Sequence, residues 1–109
     1  MNFKIRHKFK ELRNQWHISI EGEIDIYNSE QLKRKLYELL EEKQADLYIN
    51  CKDLEYIDST GLGALVSVLK KVKQFNGNIH LSQLKPNVAK IFKITDLNKV
   101  FLIEGAAHE

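Results

Sequence analysis

A chain of 109 residues, 43% hydrophobic and 29% charged, is sized and composed for one globular domain with one hydrophobic core. A formal net charge of +2, with the basic residues dispersed, gives no nucleic-acid-binding arm, and no apolar run reaches membrane-spanning length. The single cysteine, Cys51, excludes an internal disulfide, and the stretch Met1-Asn2-Phe3-Lys4-Ile5-Arg6 lacks the apolar core of a signal peptide, so a cytoplasmic location is expected.

Phe3, Ile5 and Phe9 alternate with Lys4, Arg6 and Lys8, which predicts a first strand ending near Lys10-Glu11. Trp16, Ile18 and Ile20 alternate with His17, Ser19 and Glu21 as a second strand, and the short polar link between the two predicts a hairpin. His17 falls on the polar face, with no second His or Cys at metal-ligand spacing. From Gly22 to Ser29 the alternation breaks and leads into a helix whose stripe is Leu32, Leu36, Leu39 and Leu40. Asn28 and Gln31 stand at capping-box spacing before it.

Leu47, Ile49 and Cys51 predict a central strand continuing through Leu54 to Ile57, with Cys51 as a buried, inert thiol. A second helix is expected from about Thr60 to Phe75, since Leu62, Leu65, Val66, Leu69 and Val72 share one helical face. Asn76-Gly77-Asn78 ends it, with Gly77 expected in the left-handed C′ conformation. Ile79 and Leu81 mark a further strand. Pro86 suits the first turn of a third helix that buries Val88, Ile91 and Phe92. Thr95 to Asn98 is a connection, Val100 to Ile103 is a last strand or a helix turn, and 105–109 is expected to be a frayed tail. Strands alternating with helices imply an α/β fold: a mixed sheet of four to five strands, its helices mainly on one face.

Asp58-Ser59-Thr60-Gly61-Leu62-Gly63 lies where the second helix begins. Short oxygen-bearing side chains there accept hydrogen bonds from first-turn N–H groups, so the plain reading is a helix cap. The sharper reading is a Ser59 hydroxyl presented at the positive end of a helix dipole, where an added phosphate would be accommodated. Gly61 and Gly63 suit close backbone approach or helix packing, and Leu62 is either an exposed anchor or core, the stripe favouring core. No catalytic constellation assembles around Ser59. The segment is not a nucleophile elbow, His7, His17, His80 and His108 are scattered, and the glycine pair lacks the Lys of a phosphate-binding loop. Neither a cofactor nor a metal is called for, and Ser59 reads as another enzyme's substrate.

Gly22-Glu23-Ile24-Asp25, the Leu-rich helix, Asp58 to Gly63, and Phe92-Lys93-Ile94-Thr95 together resemble a bacterial anti-sigma factor antagonist, the single-domain form of the STAS fold, over nearly the whole of residues 1–109. The resemblance implies a partner switch. The unphosphorylated antagonist binds an anti-sigma factor that is also a serine kinase, which frees a sigma factor. The kinase phosphorylates the serine after the motif's aspartate, here Ser59, and a serine phosphatase reverses it. The resemblance also implies no catalysis by the chain itself, no direct contact with nucleic acid or membrane, and a monomer. It places the first loop beside the serine, making Asp25, Tyr27, Asn28, Asp58, Thr60, Gly61 and Leu62 candidate partner contacts. Lys93 and Asp96 depart from the pattern, where an acidic residue and Gly are common. The alternatives are a STAS module in another signalling circuit and a small enzyme using Ser59 as nucleophile.

Overall fold

A computed structural model describes residues 3–104, so the expected tail at 105–109 lies outside the described residues. Strand β1 (Phe3–Lys10) and strand β2 (Gln15–Ile24) form the expected antiparallel hairpin, in register from Phe3 opposite Gly22 to Lys10 opposite Gln15. The turn between them closes through Arg13 N–H to the Lys10 carbonyl, with Asn14 left-handed at φ 54°. Next in the chain come helix α1 (Ser29–Glu42), strand β3 (Asp46–Asn50), strand β4 (Leu54–Ile57), helix α2 (Ser59–Lys73), strand β5 (Ile79–Ser82), helix α3 (Pro86–Ile94), a 3₁₀ turn (Leu97–Lys99) and strand β6 (Leu102–Glu104). The sheet runs β1-β2-β3-β5-β6, with β4 also paired to β2, and every pairing except the hairpin is parallel.

Six strands form where four to five were expected, and the difference lies at residues 51–53. The predicted strand from Leu47 to Ile57 breaks in two. The Asn50 side-chain carbonyl accepts the Lys52 N–H at 2.8 Å, and Leu54 N–H reaches back to the Cys51 carbonyl at 3.1 Å. Past this turn the chain pairs with the far half of β2, where Gly22 N–H donates to the Asp53 carbonyl at 2.9 Å. Strand β2 is correspondingly longer than its alternation suggested. It carries a register shift between Gly22 and Glu23, with Gly22 at φ 103° supplying the conformation that such a bulge asks for.

The apolar face of the sheet is met by a helical layer. Leu32, Leu36, Leu39 and Leu40 of α1 and Leu65, Val68, Leu69 and Val72 of α2 are buried in one cluster with Ile18 and Ile20 of β2, Leu47 and Ile49 of β3, and Ile79 and Leu81 of β5. Trp16 is buried too and donates its indole N–H to the Lys43 carbonyl at 3.0 Å, tying β2 to the end of α1. The opposite sheet face is polar. Lys8, His17, Tyr48, His80 and Leu102 form one row across it, and Tyr48 stacks between His80 at 3.9 Å and His17 at 5.3 Å.

Two helix ends differ from expectation. The left-handed residue after α2 is Asn76, at φ 64°, and not Gly77. Gly77 is required for space: a Cβ there would stand 2.8 Å from both the Phe75 ring and a Val72 methyl group. Asn28 makes no side-chain cap on α1, because its carboxamide is turned back into the preceding loop. The last apolar run resolves as strand β6, and Pro86 opens α3 as predicted.

Candidate functional site: the start of helix α2

Strands β2 and β4 run parallel, with Ile24 beside Ile57, so the chains leaving them emerge side by side at their carboxyl ends. Asp58 N–H donates to the Ile24 carbonyl at 3.2 Å and prolongs that pairing by one step. This brings the loop from Asp25 to Asn28 against the first turn of α2. Open α/β sheets commonly bind ligands at such strand ends.

Asp58 is the N-cap of α2, in extended conformation, and its Oδ1 accepts the Gly61 N–H at 3.0 Å and the Thr60 hydroxyl at 2.6 Å. The Thr60 hydroxyl bond, partly offset by desolvation and reinforced by the Gly61, Thr60 and Ile26 backbone amides, holds the Asp58 carboxyl below the usual carboxylate range. The positive end of α2 is thus already met by a negative charge. Ser59 is the first helical residue and is exposed. A phosphate added to it would meet donors already committed to the neighbouring carboxylate.

Gly61 seats this turn on the sheet. A Cβ on it would lie 2.6 Å from Ile57 Cγ1 and 2.8 Å from Ile24 Cγ2, so only glycine lets the helix approach so closely. The close-approach reading does not extend to Gly63, where a Cβ would meet nothing within 4 Å. Gly63 stands one turn beyond Ser59 on the exposed surface and leaves the helix backbone bare there.

The loop is built by Asn28. Its Oδ1 accepts the Asp25 N–H at 2.9 Å and its Nδ2 donates to the Glu23 carbonyl at 2.8 Å. Asp25 closes a second small turn by accepting the Tyr27 N–H at 2.9 Å. The result places Tyr27 at 87% exposure and buries Asn28 at 5%.

Of the predicted contacts, Asp25, Tyr27, Asp58 and Thr60 are therefore brought to one surface region with Ser59, the expected phosphorylation site. Asn28, Gly61 and Leu62 lie behind it as support. Leu62, 6% exposed, is core, which corrects its candidacy as a partner contact. Sequence reasoning missed Ile26, 66% exposed beside Tyr27, and Tyr56, which stands half-exposed opposite Glu23 in the β2–β4 pair. The broken alternation from Gly22 to Ser29 gave no signal for either side chain. The strand ends at Ile24, and the Asx turn at Asp25 re-aims the residues after it.

Among the described residues no group of three or more His, Cys, Asp or Glu side chains is placed to hold a metal ion, and no helix is long and apolar enough to cross a membrane.

The chain is 41% identical over 96 residues to the anti-sigma-B factor antagonist of Bacillus subtilis (strain 168), covering 88% of this chain and 87% of that protein. An anti-sigma factor antagonist from Mycobacterium paratuberculosis superposes with a TM-score of 0.82 at 19% identity, over 95% of this chain and 86% of that one. The antagonist SpoIIAA superposes in its unphosphorylated form (TM-score 0.76, 21% identity, 94% of this chain and 87% of that one) and in its phosphorylated form (TM-score 0.68, 20% identity, 94% and 90%). These solved structures share the fold described above. A STAS domain model matches residues 9–109, and the chain belongs to the STAS domain family.

Proposed function

We propose that this protein is an anti-sigma factor antagonist that docks an anti-sigma factor kinase when Ser59 is unmodified and releases it when Ser59 is phosphorylated. The observation that carries the reading is the exposed Ser59 hydroxyl at the first position of α2, flanked by the Asp58 carboxylate and the Asp25–Tyr27 loop. A kinase can reach that oxygen without unfolding the chain. A serine phosphatase resets it, and the cycle runs in the cytoplasm.

The charge arithmetic favours a switch acting on docking and not on folding. Two like charges about 4 Å apart repel by about 1 kcal/mol in bulk water and by about 4 kcal/mol at an effective dielectric near 20. A partner that covers Ser59 displaces water, so about 3 kcal/mol of the repulsion arises only in the complex, a loss of about two orders of magnitude in affinity. The free domain keeps its fold, because the phosphate stands in solvent.

An enzyme using Ser59 as nucleophile is disfavoured by the same geometry. The nearest carboxylate, Asp58, is hydrogen-bonded to Thr60 and Gly61 and held in its ionised form, which makes it a poor base. The test is incubation with the cognate kinase and ATP, followed by mass-spectrometric mapping. Ser59 is the expected site. Ser59→Ala should still bind the kinase yet resist modification, and Ser59→Asp should bind at least tenfold more weakly. Equal binding by Ser59→Asp and the parent chain would end the proposal.

A further inference from the structure

Strand β1 ends the sheet, pairs only with β2 among the described residues, and has no proline, glycine or register shift along its eight residues. A regular edge of this kind presents an alternate set of unpaired backbone N–H and C=O groups to an incoming chain. Its two faces differ sharply. Lys4, Arg6, Lys8 and Lys10 all project to the polar sheet face and are exposed. Phe3 and Ile5 project to the helical side and are only partly covered. Beside them a groove of about 350 Å³ runs between β1 and α1, lined by Phe3, Ile5, Gln31, Arg34, Lys35 and Glu38. At the other end of the strand Phe9 is closed off, packed edge-on to Trp16 and covered by the Lys43 ammonium.

The charges select the occupant. A second copy pairing β1 to β1 antiparallel would set one column of cations against another, and like charges opposed across strands are destabilising. Arg6 has a loose partner in Glu21 at 3.7 Å, but among the described residues Lys4, Lys8, Lys10, Arg34 and Lys35 are in no ion pair. Glu38 is the one carboxylate lining the groove. The edge is thus guarded against its own kind and left attractive to acid.

We propose that the free edge of β1 accepts, as an added strand, an extended segment of another protein in which acidic and apolar residues alternate. Its carboxylates lie along Lys4, Arg6, Lys8 and Lys10, its apolar side chains enter the groove beside Phe3 and Ile5, and its backbone takes up the unpaired edge groups. This surface is separate from the Ser59 region and uses none of its residues.

The probe is a short capped synthetic peptide of alternating glutamate and valine, titrated into the isotope-labelled full chain while amide signals and hydrogen exchange are monitored. The expected result is a set of shifts confined to β1 and the facing side of α1, with alternate β1 amides gaining protection. Lys4→Glu combined with Lys8→Glu should weaken binding roughly tenfold or more, since surface charges contribute modestly one at a time. Four outcomes overturn the proposal: no binding; equal binding by a peptide N-methylated at alternate residues, which shows attraction by charge alone; shifts centred on His17, Tyr48 and His80, or on Ser59, in place of β1; and sedimentation showing that the chain itself pairs through β1.

Discussion

Two glycines two residues apart on α2 should respond to alanine in opposite directions. At Gly63 the added methyl meets nothing within 4 Å, so the only effect is the gain in helix propensity, about 0.5–1 kcal/mol. At Gly61 the same gain is opposed by contacts of 2.6 and 2.8 Å with Ile57 and Ile24, both fully buried and both β-branched, with no freedom to swing aside. Overpacking of this kind costs about 1–3 kcal/mol, leaving Gly61→Ala less stable than the parent by up to about 2 kcal/mol. A domain of this size shifts its melting temperature by about 4 °C or more per kcal/mol, so the two variants should melt several degrees to either side of the parent. Urea unfolding with Trp16 fluorescence, the only tryptophan in the chain, gives the free energies directly. Melting of both variants on the same side of the parent would refute the account of how α2 is seated. If a partner uses the bare backbone at Gly63, Gly63→Ala should also dock more weakly while being more stable.

Three further outcomes concern the same region and the core. Asn28→Ala removes the acceptor for Asp25 N–H and the donor to the Glu23 carbonyl; it should cost about 1–3 kcal/mol by urea unfolding and speed exchange of the Asp25 amide. Asp58→Ala should cost about 0.5–2 kcal/mol at neutral pH as a lost cap. Because the folded carboxyl titrates below its unfolded value, the charge-dependent part of that contribution is full above about pH 4 and is lost as pH falls through the folded value; unfolding curves of parent and variant should therefore converge in acid. Burial pushes the Cys51 thiol up to about 12, so a thiol reagent at pH 8 should leave the native chain unlabelled and react on unfolding in urea.

What could be read from the sequence was local. The leucines of α1, the Asp58 cap and most of the α2 stripe are specified within a few residues and stand as expected, although in α2 Val68 is fully buried while Val66, expected on that face, is only partly covered. Long-range pairing is what escaped. The division of one expected strand into β3 and β4 depends on Cys51 N–H finding the Ser82 carbonyl and on Asp53 finding Gly22, partners about thirty residues distant. The inward turn of Asn28 is likewise invisible to a spacing rule, because a capping pattern describes who stands three residues away and not which carbonyl behind the residue lacks a donor. Gly77 misled for a different reason: two neighbours can supply a left-handed residue, Asn76 takes that conformation, and the glycine serves instead to leave space beside Phe75 and Val72. At Asp96, where the resemblance led to an expectation of glycine, the backbone is left-handed at φ 61°, a conformation that an Asp side chain tolerates.

The carboxamide of Asn28 is satisfied entirely within its own chain, and this bears on how quickly partners can be exchanged. A segment already frozen before an encounter brings no disorder to be surrendered on contact, so association can proceed near the rate set by diffusion and orientation. Discrimination between modified and unmodified forms would then reside in the lifetime of the complex: a brief stay for one, a long one for the other.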